Sequence, residues 1–117
     1  MELTRQEVVQ LLSESHSVVV DQRFTRPGRR NLVVFDAVRH AATRKIFALV
    51  YTKDHQLYVD LKQALTTIAD LVESSPAITL GQHFDKQHWI TVNVTALSSR
   101  QELQNLALVS YHLSREA

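Results

Sequence analysis

The sequence predicts an α+β fold, a two-layer sandwich in which an antiparallel sheet carries helices on one face. The chain has 117 residues, a length that suits a single domain over residues 1–117, and no repeat, low-complexity stretch or linker divides it. Stretches with apolar residues at helical spacing are separated by stretches of β-branched residues or of apolar–polar alternation. The expected order is a helix, three or four strands, a helix, one or two strands and a helix.

The first helix is predicted over residues 4–15. The motif Thr4-Arg5-Gln6-Glu7 has the form of a capping box, in which the first and last side chains bond each other's backbone. Apolar residues continue at helical spacing through Leu12. The next segment, 18–39, fits either a hairpin or a loop followed by one strand. Both alternatives contain a strand over roughly residues 31–38.

Residues 44–61 predict an antiparallel hairpin. A β-rich run over 44–52 is followed by a short polar connection. Apolar Leu57, Val59 and Leu61 then alternate with polar or aromatic residues, as in a strand with one wetter face. We therefore expect two neighbouring strands that run in opposite directions.

The second and third helices flank one more clear strand. Apolar residues recur at helical spacing over 61–72, and Pro76 ends that helix. Residues 88–95 read as a strand. Ser98 or Ser99 caps the last helix.

The helical spacing and the strand alternation of these elements predict which residues form the core. The strand over 88–95 points Ile90 and Val92 toward the helices, so Trp89 faces the other side of the sheet. The residues expected to be largely buried are Phe47, Leu65, Ile68, Ile90, Val92 and Leu106.

The second face of the sheet is predicted to be aromatic. The same alternation places Phe47, Tyr51, Tyr58 and Trp89 there. An exposed face of this kind stacks nucleic-acid bases or binds a protein. The third alternative is that segment 16–30 folds over the face and completes a second small core.

Composition excludes several classes of function. The absence of cysteine rules out disulfides, thiolate zinc sites, Fe–S clusters and thiol nucleophiles. The two glycines, Gly28 and Gly81, cannot build the glycine-rich loops that bind nucleotide phosphates. No apolar run is long enough to span a membrane, and the first residues do not resemble a secretion signal, so we expect a cytoplasmic protein.

Positive charge is concentrated in one part of the chain. The formal net charge is +1, but residues 21–45 hold seven basic and two acidic residues, a net +5, which leaves −4 for the rest. The stretch Arg26-Pro27-Gly28-Arg29-Arg30 fits either a loop tip that binds phosphate or a solvated turn.

The histidines do not predict a metal or catalytic site. His83 and His88 lie close together with Asp85 between them, but their spacing fits neither one helical face nor one strand face. We expect both to act as structural hydrogen-bonding groups around Trp89. No motif holds Ser, His and Asp in a catalytic frame, so no catalytic residue, metal or cofactor is predicted.

Two strings of residues are distinctive. Residues 39–49, RHAATRKIFAL, resemble the R-H-x-x-N-x-K-x-F-A-L stretch of the MmcQ/YjbR family. Residues 83–92, HFDKQHWITV, resemble that family's H-M-N-K-x-H-W-I-T-V signature. Ser110-Tyr111 is similar to the S-Y near the end of the family's last helix, and residues 57–62 fall where it has a strand ending in L-x-L-K.

This chain departs from the family pattern at several positions. Thr43 stands in place of an Asn, and Phe84 and Asp85 replace the usual Met and Asn. The Pro that usually lies near the start of the second helix is absent. Asp85 removes a hydrogen-bond donor and adds negative charge, which counts against a phosphate contact at that position.

The resemblance implies a fold and a class of function. It implies a small bacterial cytoplasmic protein with an α-β(3)-α-β(2)-α two-layer sandwich. Members are commonly called DNA-binding, by likeness to a double-wing domain. The family brings no catalytic residue, metal or cofactor, and a shared fold does not establish function.

The main functional prediction is a non-enzymatic protein, monomeric or weakly dimeric, that binds double-stranded DNA through phosphates. The expected contacts are Arg26, Arg29, Arg30, Arg39, Arg44 and Lys45, with His40, Lys86 and His88 as secondary contacts. The alternative is a small adaptor that binds a protein or a small ligand on the second face of the sheet. Its surface consists of Phe47, Tyr51, Tyr58 and Trp89.

Overall fold

A six-stranded antiparallel sheet with three α-helices on one face forms the framework of the protein. The computed structural model describes residues 2–14, 16–27 and 32–115. Its helices are α1 (Arg5–Ser13), α2 (Leu65–Ser74) and α3 (Arg100–Arg115). Its strands are β1 (Val18–Asp21), β2 (Arg26–Pro27), β3 (Leu32–Val33), β4 (Asp36–His40), β5 (Ile46–Lys53), β6 (Gln56–Lys62), β7 (Ile78–Leu80) and β8 (Trp89–Asn93). No described helix is long and apolar enough to cross a membrane.

The strands of the main sheet lie in the order β1-β4-β5-β6-β8-β7, and each neighbouring pair is antiparallel. The predicted hairpin over 44–61 is confirmed as β5 and β6, with Tyr51 opposite Tyr58. β2 and β3 pair with each other as a separate two-stranded ribbon. The α+β class and the single helix-bearing face therefore agree with the prediction.

The single strand predicted over residues 31–38 is wrong, because β3 and β4 are separated at Val34 and Phe35. The carbonyl oxygen of Val34 accepts a hydrogen bond from Arg5 Nη2 at 2.6 Å. The backbone N–H of Phe35 donates to Thr25 Oγ1 at 3.4 Å. These backbone groups bond to side chains instead of a neighbouring strand, so the chain changes direction and Phe35 becomes buried.

The helix ends follow the predicted caps. The Thr4 hydroxyl accepts from the Glu7 N–H at 3.1 Å, and Glu7 Oε1 accepts from the Thr4 N–H at 2.9 Å, which completes the capping box. At the start of α3, Ser99 Oγ accepts from the Glu102 N–H at 3.2 Å. Of the two serines predicted as caps, Ser99 is therefore the one that binds the backbone of the first turn.

The helix-side core confirms five of the six predicted buried residues: Phe47, Ile68, Ile90, Val92 and Leu106. The prediction for Leu65 is wrong, because this side chain is 57% exposed. Leu61 lies in β6, whereas Leu65 is the first residue of α2. The predicted helical spacing started at Leu61, which lies in a strand, and it therefore assigned Leu65 to the wrong side of α2.

A β-bulge explains why Phe47 packs under the helices, although the sequence also placed it on the second face. Val38 lies opposite Ala48, but the next residue of β4, Arg39, lies opposite Ile46. Phe47 is the extra residue in β5, so it packs with Ala48 on the helix side. Ser110 bridges the disrupted ladder: its hydroxyl donates to the Phe47 carbonyl oxygen at 2.5 Å and accepts from the Lys62 N–H at 2.8 Å.

The second face of the sheet is covered. Phe35 and Tyr51 are each 1% exposed there and form a small core with Ala37 and Leu49. Side chains from two segments outside the main sheet close over it, including Phe24 and Phe84. The face therefore forms a second small core, as in one of the three alternatives, and Phe24 comes from the predicted cover, segment 16–30. However, Val18–Asp21 of that segment pairs with β4 in the main sheet, and Phe84 comes from outside the segment.

Candidate nucleic-acid interface

An open depression at the β1 side of the sheet gathers arginines from separate parts of the chain. It has a volume of about 470 Å³ and is lined by Val19, Val20, Asp21, Arg23, Arg39 and Arg44. β1 is the outermost strand and pairs only with β4 among the described strands. We call Arg23, Arg39, Arg44 and Lys45 the basic edge.

Asp21 organises this edge. Its Oδ2 forms an ion pair with Arg39 Nε at 2.9 Å, and its Oδ1 accepts from the Arg23 N–H at 3.0 Å. Partial burial acts to raise the pKa of Asp21, but the hydrogen bonds from Arg23 and Arg39 outweigh it and hold the pKa below its ordinary value. The carboxylate thus holds the side chain of Arg39 and the backbone of Arg23, and its single negative charge faces three positive charges around the depression.

Arg44 is placed by a strained turn. It has a positive φ of 66° in the connection between β4 and β5, a conformation uncommon for residues other than glycine. Its N–H donates to the His40 carbonyl oxygen at 2.9 Å, and its own carbonyl oxygen accepts from Arg39 Nη1 at 3.1 Å. The backbone is therefore held on both sides, while the Arg44 side chain is exposed beside half-buried Lys45.

His40 does not belong to this surface, and the prediction that it contacts phosphate is wrong. It is 3% exposed, and its Nε2 lies 2.7 Å from Ser114 Oγ. The ring packs against Tyr111 and Phe47, with centroids 4.4 and 5.4 Å away. Burial lowers the pKa of His40, which favours the neutral imidazole in the interior.

The other predicted phosphate contacts have mixed positions. Arg29, Arg30 and the side chain of Arg26 lie outside the described residues. Lys86 is exposed on the loop over residues 82–88, which we call the β7–β8 loop. This loop reaches the turn that carries Arg23, because the rings of Phe84 and Phe24 are 5.2 Å apart.

The signature histidines differ from each other. His88 Nδ1 lies 2.5 Å from Asp85 Oδ2, so His88 does act as a hydrogen-bonding group of the loop. His83 Nε2 is buried and has no hydrogen-bond partner, so the same prediction is wrong for that atom. The ring that contacts Trp89 belongs to Phe84, with centroids 4.5 Å apart. Among the described residues, no three His, Asp or Glu side chains converge on a metal position.

The aromatic surface predicted for an adaptor is not assembled in this conformation. Phe47 lies under the helices, and Tyr51 is 1% exposed beneath the covering segments. Tyr58 and Trp89 are half-buried at the border of the same face. These residues do not form one exposed patch.

Sequence reasoning missed Asp21 as an organiser and Asp60 as a buried acid. Asp21 stands two residues before Arg23, the spacing of a side-chain-to-backbone turn, and this signal was readable. Asp60 lies in the middle of β6, is 0% exposed and accepts from the Tyr51 hydroxyl at 2.9 Å. Alternation assigned Asp60 to the second face, and a cover over that face was only one of three open alternatives, so the burial of Asp60 was not predicted.

Comparisons with known proteins agree with the fold. A family model described as YjbR matches residues 17–113, which is most of the chain. The chain belongs to the YjbR family. Among solved structures, a Pseudomonas syringae protein matches this YjbR chain with a TM-score of 0.75 and 22% identity, covering 97% of this chain and 100% of that one.

A Deinococcus radiodurans protein with a domain described as DUF419 matches with a TM-score of 0.74 and 23% identity. This match covers 94% of the YjbR chain and 77% of the other. At these identities the two structures support the shared fold alone. No curated protein matches the chain.

Proposed function

We propose that this YjbR protein is a non-enzymatic binding protein that contacts the phosphates of double-stranded DNA through its basic edge. The observation that carries the proposal is the open depression, which is lined by Arg23, Arg39 and Arg44 together with one carboxylate, Asp21. Three guanidinium groups against one carboxylate leave a local surplus of positive charge. Arginine suits phosphate oxygens because its planar group donates several hydrogen bonds in a fixed geometry.

The preorganisation of the edge supports phosphate binding. Arg39 is already held by Asp21 and by the Arg44 carbonyl oxygen, so little side-chain entropy remains to be lost there. Arg23 and Arg44 are exposed and available on either side of it. The net +5 of residues 21–45, against −4 for the rest, orients the protein toward a polyanion from this side.

The proposed contacts are to the backbone and not to base edges. They come from a strand, a turn and a connection between strands. Contacts of this type position a protein on DNA without reading its sequence. We therefore expect affinity that depends steeply on salt and little on sequence.

The test is a salt titration with fluorescence anisotropy of a labelled DNA duplex, a single strand and an RNA of equal length. Each phosphate contact contributes about 0.9 to the slope of log K against log salt. The double variant Arg23→Ala/Arg44→Ala should weaken binding to all duplex sequences alike and reduce the slope by nearly 2. Arg100→Ala is the matched control, because it removes an exposed arginine at the start of α3.

The proposal fails if the wild type does not bind duplex DNA even at low salt. It also fails if Arg23→Ala/Arg44→Ala keeps the wild-type affinity and slope. The double variant Arg29→Ala/Arg30→Ala tests the predicted loop separately, with a slope reduction of nearly 2 if both arginines contact phosphates. Equal losses in the Arg100→Ala control would indicate a general charge effect instead of a defined edge.

A further inference from the structure

The second face of the sheet buries a carboxyl group that is only half bonded. Asp60 Oδ1 accepts from the Tyr51 hydroxyl at 2.9 Å, but Asp60 Oδ2 has no hydrogen-bond partner. Thr91 lies directly opposite Asp60 on β8, and its hydroxyl completes no hydrogen bond of good geometry. A buried acceptor left without a partner is costly, and more so when it is charged.

A second titratable group lies above the same face. The His83 ring packs against Phe35 and Tyr51, with centroids 4.8 and 4.9 Å away. Its Nε2 is buried and unpartnered. Burial and then the nearby charge of Lys53 lower the pKa of His83, so the closed position favours the neutral imidazole.

His83 belongs to a loop whose base is fixed by close contacts and whose tip is exposed. The N–H of Gly81 donates to the Trp89 carbonyl oxygen at 2.8 Å, and a Cβ at Gly81 would lie only 2.8 Å from Trp89 Cβ. Above this base, Phe84 is held through ring contacts with Trp89 and Phe24. The remaining loop residues, including Lys86, are mostly exposed, which is typical of segments that open at low free-energy cost.

We propose that the β7–β8 loop is a proton-controlled cover: its opening depends on the protonation of Asp60 and His83 and uncovers the sheet face bearing Tyr51, Tyr58 and Trp89. In the closed position, the burial of Asp60 and the partial burial of His83 favour the neutral form of each group. Opening hydrates both groups and makes their charged forms easier to adopt. The cover thus links protonation to exposure of an aromatic surface.

The pH dependence follows from the groups that face each titrating side chain. Burial raises the pKa of Asp60 to about 6 from 3.8, while the hydroxyls of Thr91 and Tyr51 act in the opposite direction. Opening therefore becomes easier as pH rises from about 4 to 6, by up to about 100-fold if Asp60 is fully hydrated in the open state. Above pH 6 this contribution is constant.

His83 makes the opening of the loop depend on pH in the opposite direction. Its pKa in the closed position lies below the ordinary 6.5, and Lys53 is the charged group that contributes to this. Protonation therefore favours opening as pH falls below 6.5. The exposed Asp85–His88 pair on the same loop is bonded within itself. The His83 contribution thus declines as pH rises toward 6.5 and is constant above that value, so it opposes the Asp60 contribution.

The experiment uses the single tryptophan of the chain, Trp89, as a reporter. Phe84 of the loop contacts its ring, so a 5-fluorotryptophan label senses whether the cover is closed. We would measure the open population by ¹⁹F NMR relaxation dispersion between pH 4 and 8 at constant ionic strength. The expected wild-type result is the product of the two opposing contributions, both of which are constant above about pH 7.

Two variants separate the contributions of Asp60 and His83 to the pH dependence of opening. Asp60→Asn should leave only the decline in open population as pH rises toward 6.5, whereas His83→Gln should leave only the rise, of at least about tenfold between pH 4 and 6. Lys53→Gln changes an exposed residue and removes the charge that helps to lower the pKa of His83. It should therefore make the His83-dependent decline in open population smaller, without altering the core. Asp70→Asn and His112→Gln are matched controls on exposed helix surfaces and should reproduce the wild-type profile.

A His83→Gln variant whose open population does not rise between pH 4 and 6, or a wild type whose open population still changes above about pH 7, overturns the proposal. A profile that survives unchanged in both Asp60→Asn and His83→Gln also overturns it, because the titration would then belong to other groups. Circular dichroism identifies any variant that fails to fold. In that case the Lys53→Gln result and the ¹H NMR titration of His83 in the wild type decide the acid-base assignment.

Discussion

The helix-covered face and the second face of the sheet are buried by different kinds of contact. On the helix side, aliphatic residues from all three helices fill the core, and the buried polar groups Ser110, Ser114 and Gln63 are hydrogen-bonded. On the second face, aromatic rings from two covering segments supply most of the contacts. Among the described residues, the buried side-chain atoms without a hydrogen-bond partner belong to Asp60, His83, Thr91 and Asn93.

All four of these residues lie on the second face or directly above it. Thr91 and Asn93 share that face with Asp60 and Tyr58 through the register of β6 and β8. Native proteins satisfy nearly all buried polar groups, so a cluster of exceptions marks a place where stability is not optimised. The comparison therefore separates a face that stabilises the fold from a face that is suited to conformational change.

The largest expected effect is on the helix side. Ile68→Ala and Leu106→Ala each remove a buried side chain and leave a cavity, and each should lower the free energy of unfolding by about 2–5 kcal/mol. Urea denaturation measures this directly. Losses below about 1 kcal/mol at both positions, or a larger loss for half-buried Phe84→Ala, would reverse the proposed roles of the two faces.

The second prediction concerns the buried acid of the second face. Folding raises the pKa of Asp60 to about 6, so its ionised form is disfavoured in the folded protein. The associated stability is present below pH 3.8 and is lost as pH rises through about 6. Asp60→Asn should therefore stabilise the protein at pH 8, by up to about 3 kcal/mol, and change little at pH 4.

Thermal or urea unfolding at both pH values tests this prediction. Asp70→Asn, an exposed substitution on α2, controls for the loss of one negative charge. Destabilisation of Asp60→Asn at pH 8 would show that the carboxylate is well solvated or fully bonded in the folded state. The second face would then not differ from the helix side in the way described above.

The third prediction tests the hydrogen-bonded polar groups of the helix side. Ser110→Ala removes the bridge between the Phe47 carbonyl oxygen and the Lys62 N–H at the β-bulge. Because it leaves a buried donor and a buried acceptor unpaired, we expect a loss of about 1–3 kcal/mol. Ser98→Ala, which removes an exposed hydroxyl, should cost less than about 0.5 kcal/mol. Equal effects would show that water replaces the Ser110 bridge.

Sequence patterns predicted the helix side of the fold far better than the second face. The capping box at Thr4 and the alternation at Leu57, Val59 and Leu61 are local, so they fixed helix α1 and the hairpin correctly. The bulge at Phe47 depends on how β4 pairs with β5, which no local pattern contains. One inserted residue reverses the alternation, and this explains why Phe47 was assigned to the wrong face.

The candidate site was predictable in charge but not in geometry. The excess of basic residues over 21–45 is visible in the sequence and contains the whole basic edge. His40 is also in that stretch, yet it is buried against Tyr111 and Ser114 of α3, about 70 residues later in the chain. Contacts of such long range decide which charged or polar side chains reach the surface.

The smallest expected effect concerns Leu65, which lies at the boundary of the helix-side core. Leu65 lies at the first position of α2 and is 57% exposed, whereas Ile68, one turn later, is 4% exposed. Leu65→Ala should change the free energy of unfolding by less than about 0.5 kcal/mol, because it removes little buried apolar surface and alanine favours the helix. A loss comparable to that of Ile68→Ala would mean that Leu65 is buried in a self-associated state. Sedimentation at two protein concentrations tests this, since self-association makes the loss depend on concentration.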